Sequence, residues 1–238
     1  MMFVTHTNTR ETHFTATFTG LVSGRTYTVG VQTTVNGLLE SEIVNVKATT
    51  APNAPTDVEV TAEGRSLTID WQPPTGDVGG YSLQLSFGSV AVNDVSLSAN
   101  ATQYKFSGLV PGREYNVSIT SVSGAGSYLA TSLVVTEAKR ISPAAPTAVK
   151  VIAVTSSSIA LSWDAAEGDA DGYGVTAITE CQGSANVTLS VEGVMVEVTG
   201  LGSGCEYELT VLTLSGEKKR QAVSLKQTTC KARKSTKF

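Results

Sequence analysis

Three stretches of this chain share one short pattern, and that repetition limits the fold more than any other feature. Leu21-Val-Ser-Gly24-Arg-Thr-Tyr27, Leu109-Val-Pro-Gly112-Arg-Glu-Tyr115 and Leu201-Gly-Ser-Gly204-Cys-Glu-Tyr207 each place a glycine three residues after a leucine and a tyrosine three residues after that. The tyrosines stand 88 and then 92 residues apart. A second landmark, Leu67-Thr-Ile69-Asp-Trp71 and Ile159-Ala-Leu161-Ser-Trp163, lies 44 residues before its tyrosine in both cases, and Ala54-Pro55-Thr56 recurs as Ala145-Pro146-Thr147. A period this long is a whole domain rather than a solenoid unit, so the chain carries tandem copies of one fold.

Within each copy the apolar residues alternate. Val58/Val60, Leu67/Ile69/Trp71, Tyr81/Leu83/Leu85, Tyr104/Phe106, Tyr115/Val117/Ile119 and Leu133/Val135 are separated by Pro73-Pro74-Thr-Gly76, Gly79-Gly80, Pro111-Gly112 and Gly124-Ala-Gly126. Period two interrupted by turn chemistry every eight to twelve residues predicts about seven short strands per copy. Such strands bury one face each, so two antiparallel sheets stacked as a sandwich satisfy the pattern. Trp71 and Trp163 are expected between the sheets, with Leu21, Leu109, Leu201, Tyr27, Tyr115 and Tyr207 also in the cores. Each tyrosine is expected to return its hydroxyl to nearby backbone.

The combination of a proline-led first strand, Leu-x-Ile-x-Trp, then Gly76-Asp77-Val-Gly-Gly80-Tyr81 or Gly168-Asp169-Ala-Asp-Gly172-Tyr173, then Leu-x-x-Gly-x-x-Tyr, resembles fibronectin type III domains. The resemblance implies an all-β chain of tandem seven-stranded antiparallel β-sandwiches, the first one truncated. Its boundaries are a C-terminal half-domain over 1–52, complete domains over 53–140 and 141–230, and a basic tail over 231–238. The glycine- and aspartate-rich style is similar to repeats in ectodomains of receptor-type tyrosine phosphatases and in tenascin-like matrix proteins. Counting back 44 residues from Tyr27 falls before Met1, so the first copy lacks its tryptophan and three strands, and the sequence reads as a piece beginning inside a longer protein. Phe3-Val4, Thr15 to Phe18, Tyr27 to Val35 and Ile43 to Val46 supply its remaining strands, too few to be stable alone.

Enzymatic classes are excluded by inventory. The only histidines, His6 and His13, fall in the half-domain, leaving no imidazole for a nucleophile–base pair in either complete copy. Phosphate-binding glycine loops, dinucleotide fingerprints, zinc-type Cys/His spacing and a Cys-x5-Arg loop do not occur, so no catalytic residue, cofactor or metal is expected. Glu167-Gly-Asp169-Ala-Asp171-Gly172 has the alternating acids of a calcium loop but too few ligands, and reads as a turn into the third strand. No run is long and apolar enough for a membrane segment, and Met1 to His6 lacks the apolar core of an export signal.

The cysteines Cys181, Cys205 and Cys230 are odd in number. In the sandwich, Cys181 ends the third strand and Cys205 begins the sixth, its antiparallel neighbour, with matching parity, so a Cys181–Cys205 bridge is preferred. Cys205–Cys230 is the rival and three reduced thiols the remaining alternative. Asn100-Ala-Thr102, Asn116-Val-Ser118 and Asn186-Val-Thr188 are glycan acceptor sequences, with Asn116 alternating outward. The net charge of −4 conceals a split: residues 1–217 hold all 21 acids and nine of the 17 bases, whereas residues 218–238 hold eight bases and no acid. Gly216-Glu217-Lys218-Lys219-Arg220, Gly124-Ala125-Gly126 and Asn36-Gly37-Leu38 are candidate binding loops between the last two strands. Lys218, Lys219 and Arg220 form a possible contact for a sulfated glycan, while Lys231, Arg233 and Lys234 belong at the opposite pole, about 30 Å away along a nine-residue strand. Edge lysines also block strand-to-strand association. Short linkers, Ala51-Pro52-Asn53-Ala54-Pro55 and Ser142-Pro143-Ala144-Ala145-Pro146, predict a semi-rigid series of domains. The function expected is non-catalytic: spacing and adhesion on the cell surface or in the extracellular matrix through protein partners, without nucleic acid. The alternatives are the ectodomain of a receptor-type protein tyrosine phosphatase and glycan binding through the basic edge.

Overall fold

Strong alternation becomes strong burial wherever two sheets face each other. The computed structural model describes residues 15–35, 39–219 and 223–232. In the second copy, β5 (Thr56–Glu63), β6 (Ser66–Gln72) and β9 (Gln103–Phe106) form one antiparallel sheet, and β7 (Gly80–Phe87), β8 (Val90–Ser98), β10 (Glu114–Ser123), the short β11 (Ala130–Thr131) and β12 (Val135–Arg140) form the other. The third copy repeats this with β13 (Thr147–Val154), β14 (Ser158–Asp164) and β17 (Met195–Thr199) against β15 (Gly172–Ile178), β16 (Val187–Val191), β18 (Glu206–Ser215), β19 (Lys218–Lys219) and β20 (Val223–Thr228). The all-β architecture and the antiparallel sandwich agree with the sequence reading.

Each core is filled from both sheets. Leu67, Ile69 and Trp71 of one sheet meet Tyr81, Leu83, Leu85, Tyr115, Val117 and Ile119 of the other. Ile159, Leu161 and Trp163 meet Tyr173, Val175, Tyr207, Leu209 and Val211 in the same way. Both tryptophans pack edge-on against the first tyrosine of the facing sheet, with ring centroids 5.2 and 5.3 Å apart for Trp71–Tyr81 and Trp163–Tyr173. The first strands share a second device. Asp57 and Ala148 adopt left-handed backbone at φ 50° and 51°, and the pairing register slips just there, between Thr56 and Glu59 and between Thr147 and Lys150.

The first copy differs because its second sheet is missing from the described residues. β1 (Thr26–Val31) pairs with β4 (Val44–Thr49), and β2 (Thr34–Val35) with β3 (Leu39–Glu40). Val31, Val44 and Val46 are exposed, as is Leu21 at 42%, so the expectation of Leu21 as core fails for want of a facing sheet. Thr15 to Phe18 forms no strand, and Phe3-Val4 lies outside the described residues. Two further corrections concern strand ends. Leu133 is 85% exposed ahead of β12, and Cys181 lies beyond the end of β15. Ile141, which the sequence reading places at the start of the third copy, is fully buried in the second core.

Candidate functional site

The repeated Leu-x-x-Gly-x-x-Tyr turn is built alike in all three copies. The backbone N–H groups of Val22, Val110 and Gly202 donate to the hydroxyl oxygens of Tyr27, Tyr115 and Tyr207 at 2.9, 3.1 and 2.8 Å. The hydroxyl thereby satisfies an amide that the turn removes from the sheet ladder. The glycine then reverses the chain with left-handed backbone (φ +70°, +77° and +71° at Gly24, Gly112 and Gly204), and the next side chain stands at the pole of the sandwich, directed outward in two copies and inward in the third. That side chain is Arg25, Arg113 and Cys205 in turn.

The two arginines reach the following unit. Arg25 donates from Nε and Nη2 to the two carboxylate oxygens of Asp77 at 2.7 and 3.0 Å, and Arg113 to those of Asp169 at 2.9 and 3.0 Å. Each fork is a bidentate, charge-assisted pair. Hydrogen bonding to the guanidinium holds both carboxyls below their ordinary value, against the opposing effect of desolvation, and the aspartates in turn raise the arginines. The segment read as a calcium-like turn is therefore the contact face of the third unit: Glu167 lies 3.0 Å from Arg65 and Asp169 holds Arg113, while Asp171 accepts from the Gly216 N–H at 2.6 Å within its own unit. Among the described residues no group of three or more His, Cys, Asp or Glu side chains is placed to hold a metal. Sequence reasoning missed these pairs although the signal was present: glycine–arginine occurs in the first two copies and glycine–aspartate in the second and third.

Cys205 points back into its own unit and forms a disulfide with Cys181, Cα to Cα 5.8 Å, while Cys230 is free and exposed. Asn100 and Asn186 are exposed and Asn116 is half-buried in β10, with its backbone in register with Ser86 and Ala138. Lys218 is exposed at the turn after β18, and Lys219 pairs through its backbone with Leu214. Arg220, Arg233 and Lys234 lie outside the described residues, as do the loop at 36–38 and both histidines. The Gly124-Ala125-Gly126 loop continues into a single helical turn, Gly126–Tyr128, that lies against β4, where Lys47 Nζ sits 5.9 Å from the Tyr128 ring centroid. It is thus partly engaged by the first unit. The other notable recess, about 410 Å³, is open and apolar, lined by Phe87, Val90, Val92 and Leu109, with the Arg113 guanidinium 4.3 Å above the Phe87 ring.

The model of the fibronectin type III domain matches residues 53–138 and 144–226. The chain belongs to the fibronectin type III family. Tenascin of Gallus gallus is 27% identical over 213 residues, which cover 89% of this chain and 12% of tenascin. Chitinase A1 of Niallia circulans is 32% identical over 171 residues, 68% of this chain and 23% of that protein. A two-domain fibronectin type III segment of chicken tenascin superposes with a TM-score of 0.59 at 21% identity, covering 74% of this chain and all of that one, and so shares the fold. The chain spans less than a quarter of either full-length relative. Within the fibronectin type III frame, Trp71, Trp163 and the three turn tyrosines are structural. No helix among the described residues is long and apolar enough to cross a membrane.

Proposed function

We propose that this chain is an extracellular spacing and adhesion segment of a larger matrix or cell-surface protein. The observation that carries the reading is the direct succession of fibronectin type III units, the second and third with filled cores, joined by linkers whose Pro52, Pro55, Pro143 and Pro146 are buried rather than tethered in solvent. Filled cores leave chemistry to the surface, and short buried linkers set the distance between surfaces. The Cys181–Cys205 disulfide and the glycan acceptor asparagines Asn100, Asn116 and Asn186 support an oxidising, extracellular setting. Likeness to tenascin supports a matrix setting, and likeness to Chitinase A1 supports spacing beside a neighbouring domain. The test is attachment: cells should adhere and spread on a surface coated with the chain, and soluble chain should compete. Cells that attach no better than to an albumin-coated surface refute the adhesive part.

A second reading, sulfated-glycan binding, is favoured by the concentration of eight bases and no acid after residue 217. It predicts salt-sensitive retention on heparin that falls on combined replacement of Lys218, Lys219 and Arg220 by alanine. Unchanged retention removes it.

A further inference from the structure

The two junctions between units are built from the same parts at the same repeat positions. At the first, the Asp77 N–H donates to the Ser23 carbonyl at 2.9 Å and Arg25 forks onto the Asp77 carboxylate, while Ser123 Oγ donates within its own unit to the Asp77 carbonyl at 3.3 Å. At the second, the Asp169 N–H donates to the Pro111 carbonyl at 2.8 Å, Arg113 forks onto the Asp169 carboxylate, and Ser215 Oγ donates to the Gly112 carbonyl at 2.7 Å. Ser23 and Pro111, Asp77 and Asp169, and Ser123 and Ser215 are equivalent positions of the repeat. Gly24 and Gly112 are both buried, and a Cβ on either would overlap the carbonyl oxygen of Asp77 or Asp169. Arg140 closes the second junction further, donating from Nη1 to the Gly112 carbonyl at 2.9 Å and to Ser215 Oγ at 3.1 Å.

We infer that these fibronectin type III units are held in one orientation by a repeated clamp, in which the glycine–arginine turn of one unit grips the glycine–aspartate loop of the next. The clamp combines a backbone hydrogen bond, a bidentate ion pair and a close approach that only glycine permits. Each part constrains a different direction of motion, so together they set an angle and not merely a distance. Ser215 serves it as well, donating across the junction to the Gly112 carbonyl, whereas Ser123 braces the Asp77 carbonyl from within its own unit; the inward parity of β10 and β18 carries both to the buried pole, where an aliphatic residue would suit the core better. In the third unit the arginine position is Cys205, committed to Cys181 inside its own sandwich, and among the described residues the Lys231 side chain is what lies near Gly204. That turn presents no clamp. The inference deepens the spacer reading and rests on it: a clamped series transmits orientation and force, whereas a flexible one transmits only tether length.

The test measures distances between neighbouring units in the full chain. Nitroxides are placed on exposed positions of the second and third units, Ser96→Cys and Thr188→Cys, in a Cys230→Ser background, and the distance distribution is read by pulsed electron resonance. The unaltered junction should give one narrow distribution. Arg113→Ala and, separately, Gly112→Ala should broaden it at least twofold, and the exchanged pair Arg113→Asp with Asp169→Arg should narrow it again. Gly204→Ala, in the same left-handed turn but away from the second–third junction, should leave the width unchanged. Should Gly112→Ala fail to fold, the arginine variant and the charge exchange still decide. A distribution as broad without substitution as with Arg113→Ala, an Arg113→Ala variant as narrow as the parent, or an exchanged pair that stays broad overturns the clamp. Cell attachment is scored separately on the unlabelled chain, so loss of the adhesion reading with a narrow distribution, or the reverse, tells the two failures apart.

Discussion

Replacing Tyr207 by phenylalanine isolates a single bond of the repeated turn. Tyr207 is fully buried, and its hydroxyl oxygen accepts from the Gly202 N–H at 2.8 Å. Phenylalanine keeps the ring and its packing but strands that amide in a half-buried turn, at a cost of about 1 to 2 kcal/mol. Since about 1.4 kcal/mol is a tenfold change in an equilibrium constant, folding of the third unit should weaken roughly tenfold. The same change at Tyr115, 3% exposed with its bond at 3.1 Å, should cost about as much in the second unit. Tyr27 makes the bond too, but it is only half-buried and no facing sheet lies among the described residues of its unit, so Tyr27→Phe should cost less than about 0.5 kcal/mol. Urea titration gives the free energies. Amide hydrogen exchange assigns them, because Tyr207→Phe should accelerate Gly202 and the strands of its own unit while leaving Val110 unchanged. No loss at Tyr207 would show that ring packing alone fixes the turn and that the hydroxyl is incidental, and equal losses at all three tyrosines would show that the worth of the bond does not depend on a facing sheet.

Trp163→Ala removes the largest side chain between the sheets of the third unit and should cost about 3 to 5 kcal/mol in urea titration, with Trp71→Ala costing a similar amount in the second. Reducing the Cys181–Cys205 bridge, which closes a separation of 24 residues, should lower third-unit stability by about 3 kcal/mol in the loop-entropy account and leave the second unit's midpoint in place. Acid should open the junctions. The carboxyls of Asp77 and Asp169 titrate lower when folded than when free, so their contribution is complete above the ordinary value near 3.8 and disappears as pH falls through the lower folded value. Small-angle scattering from pH 7 downward should therefore show constant dimensions until below that value. Asp169→Asn, which cannot ionise, should be expanded at every pH; the neighbouring Arg140–Glu114 and Arg65–Glu167 pairs stay unchanged in that variant as a control on their own titration.

The sequence by itself determined the sandwich, because strand parity is a local property. Leu67, Ile69 and Trp71, or Tyr115, Val117 and Ile119, announce a buried face whatever lies elsewhere in the chain, and the repeat of the tyrosine turn announces how many times the fold occurs. Parity failed where a facing sheet was assumed: Leu21 has the right place in the motif but nothing to cover it. Tertiary structure alone decided the junctions. Arg25 and Asp77 are 52 residues apart, Arg113 and Asp169 are 56, and neither loop's conformation specifies which unit it will meet. It also supplies the proximity that a disulfide requires: Cys181, the partner that parity prefers for Cys205, lies beyond the end of its strand and is brought there by a loop. The pattern of one residue after the next encodes which face is inside. Where two such units touch depends on their poles, whose residues carry no periodicity to read.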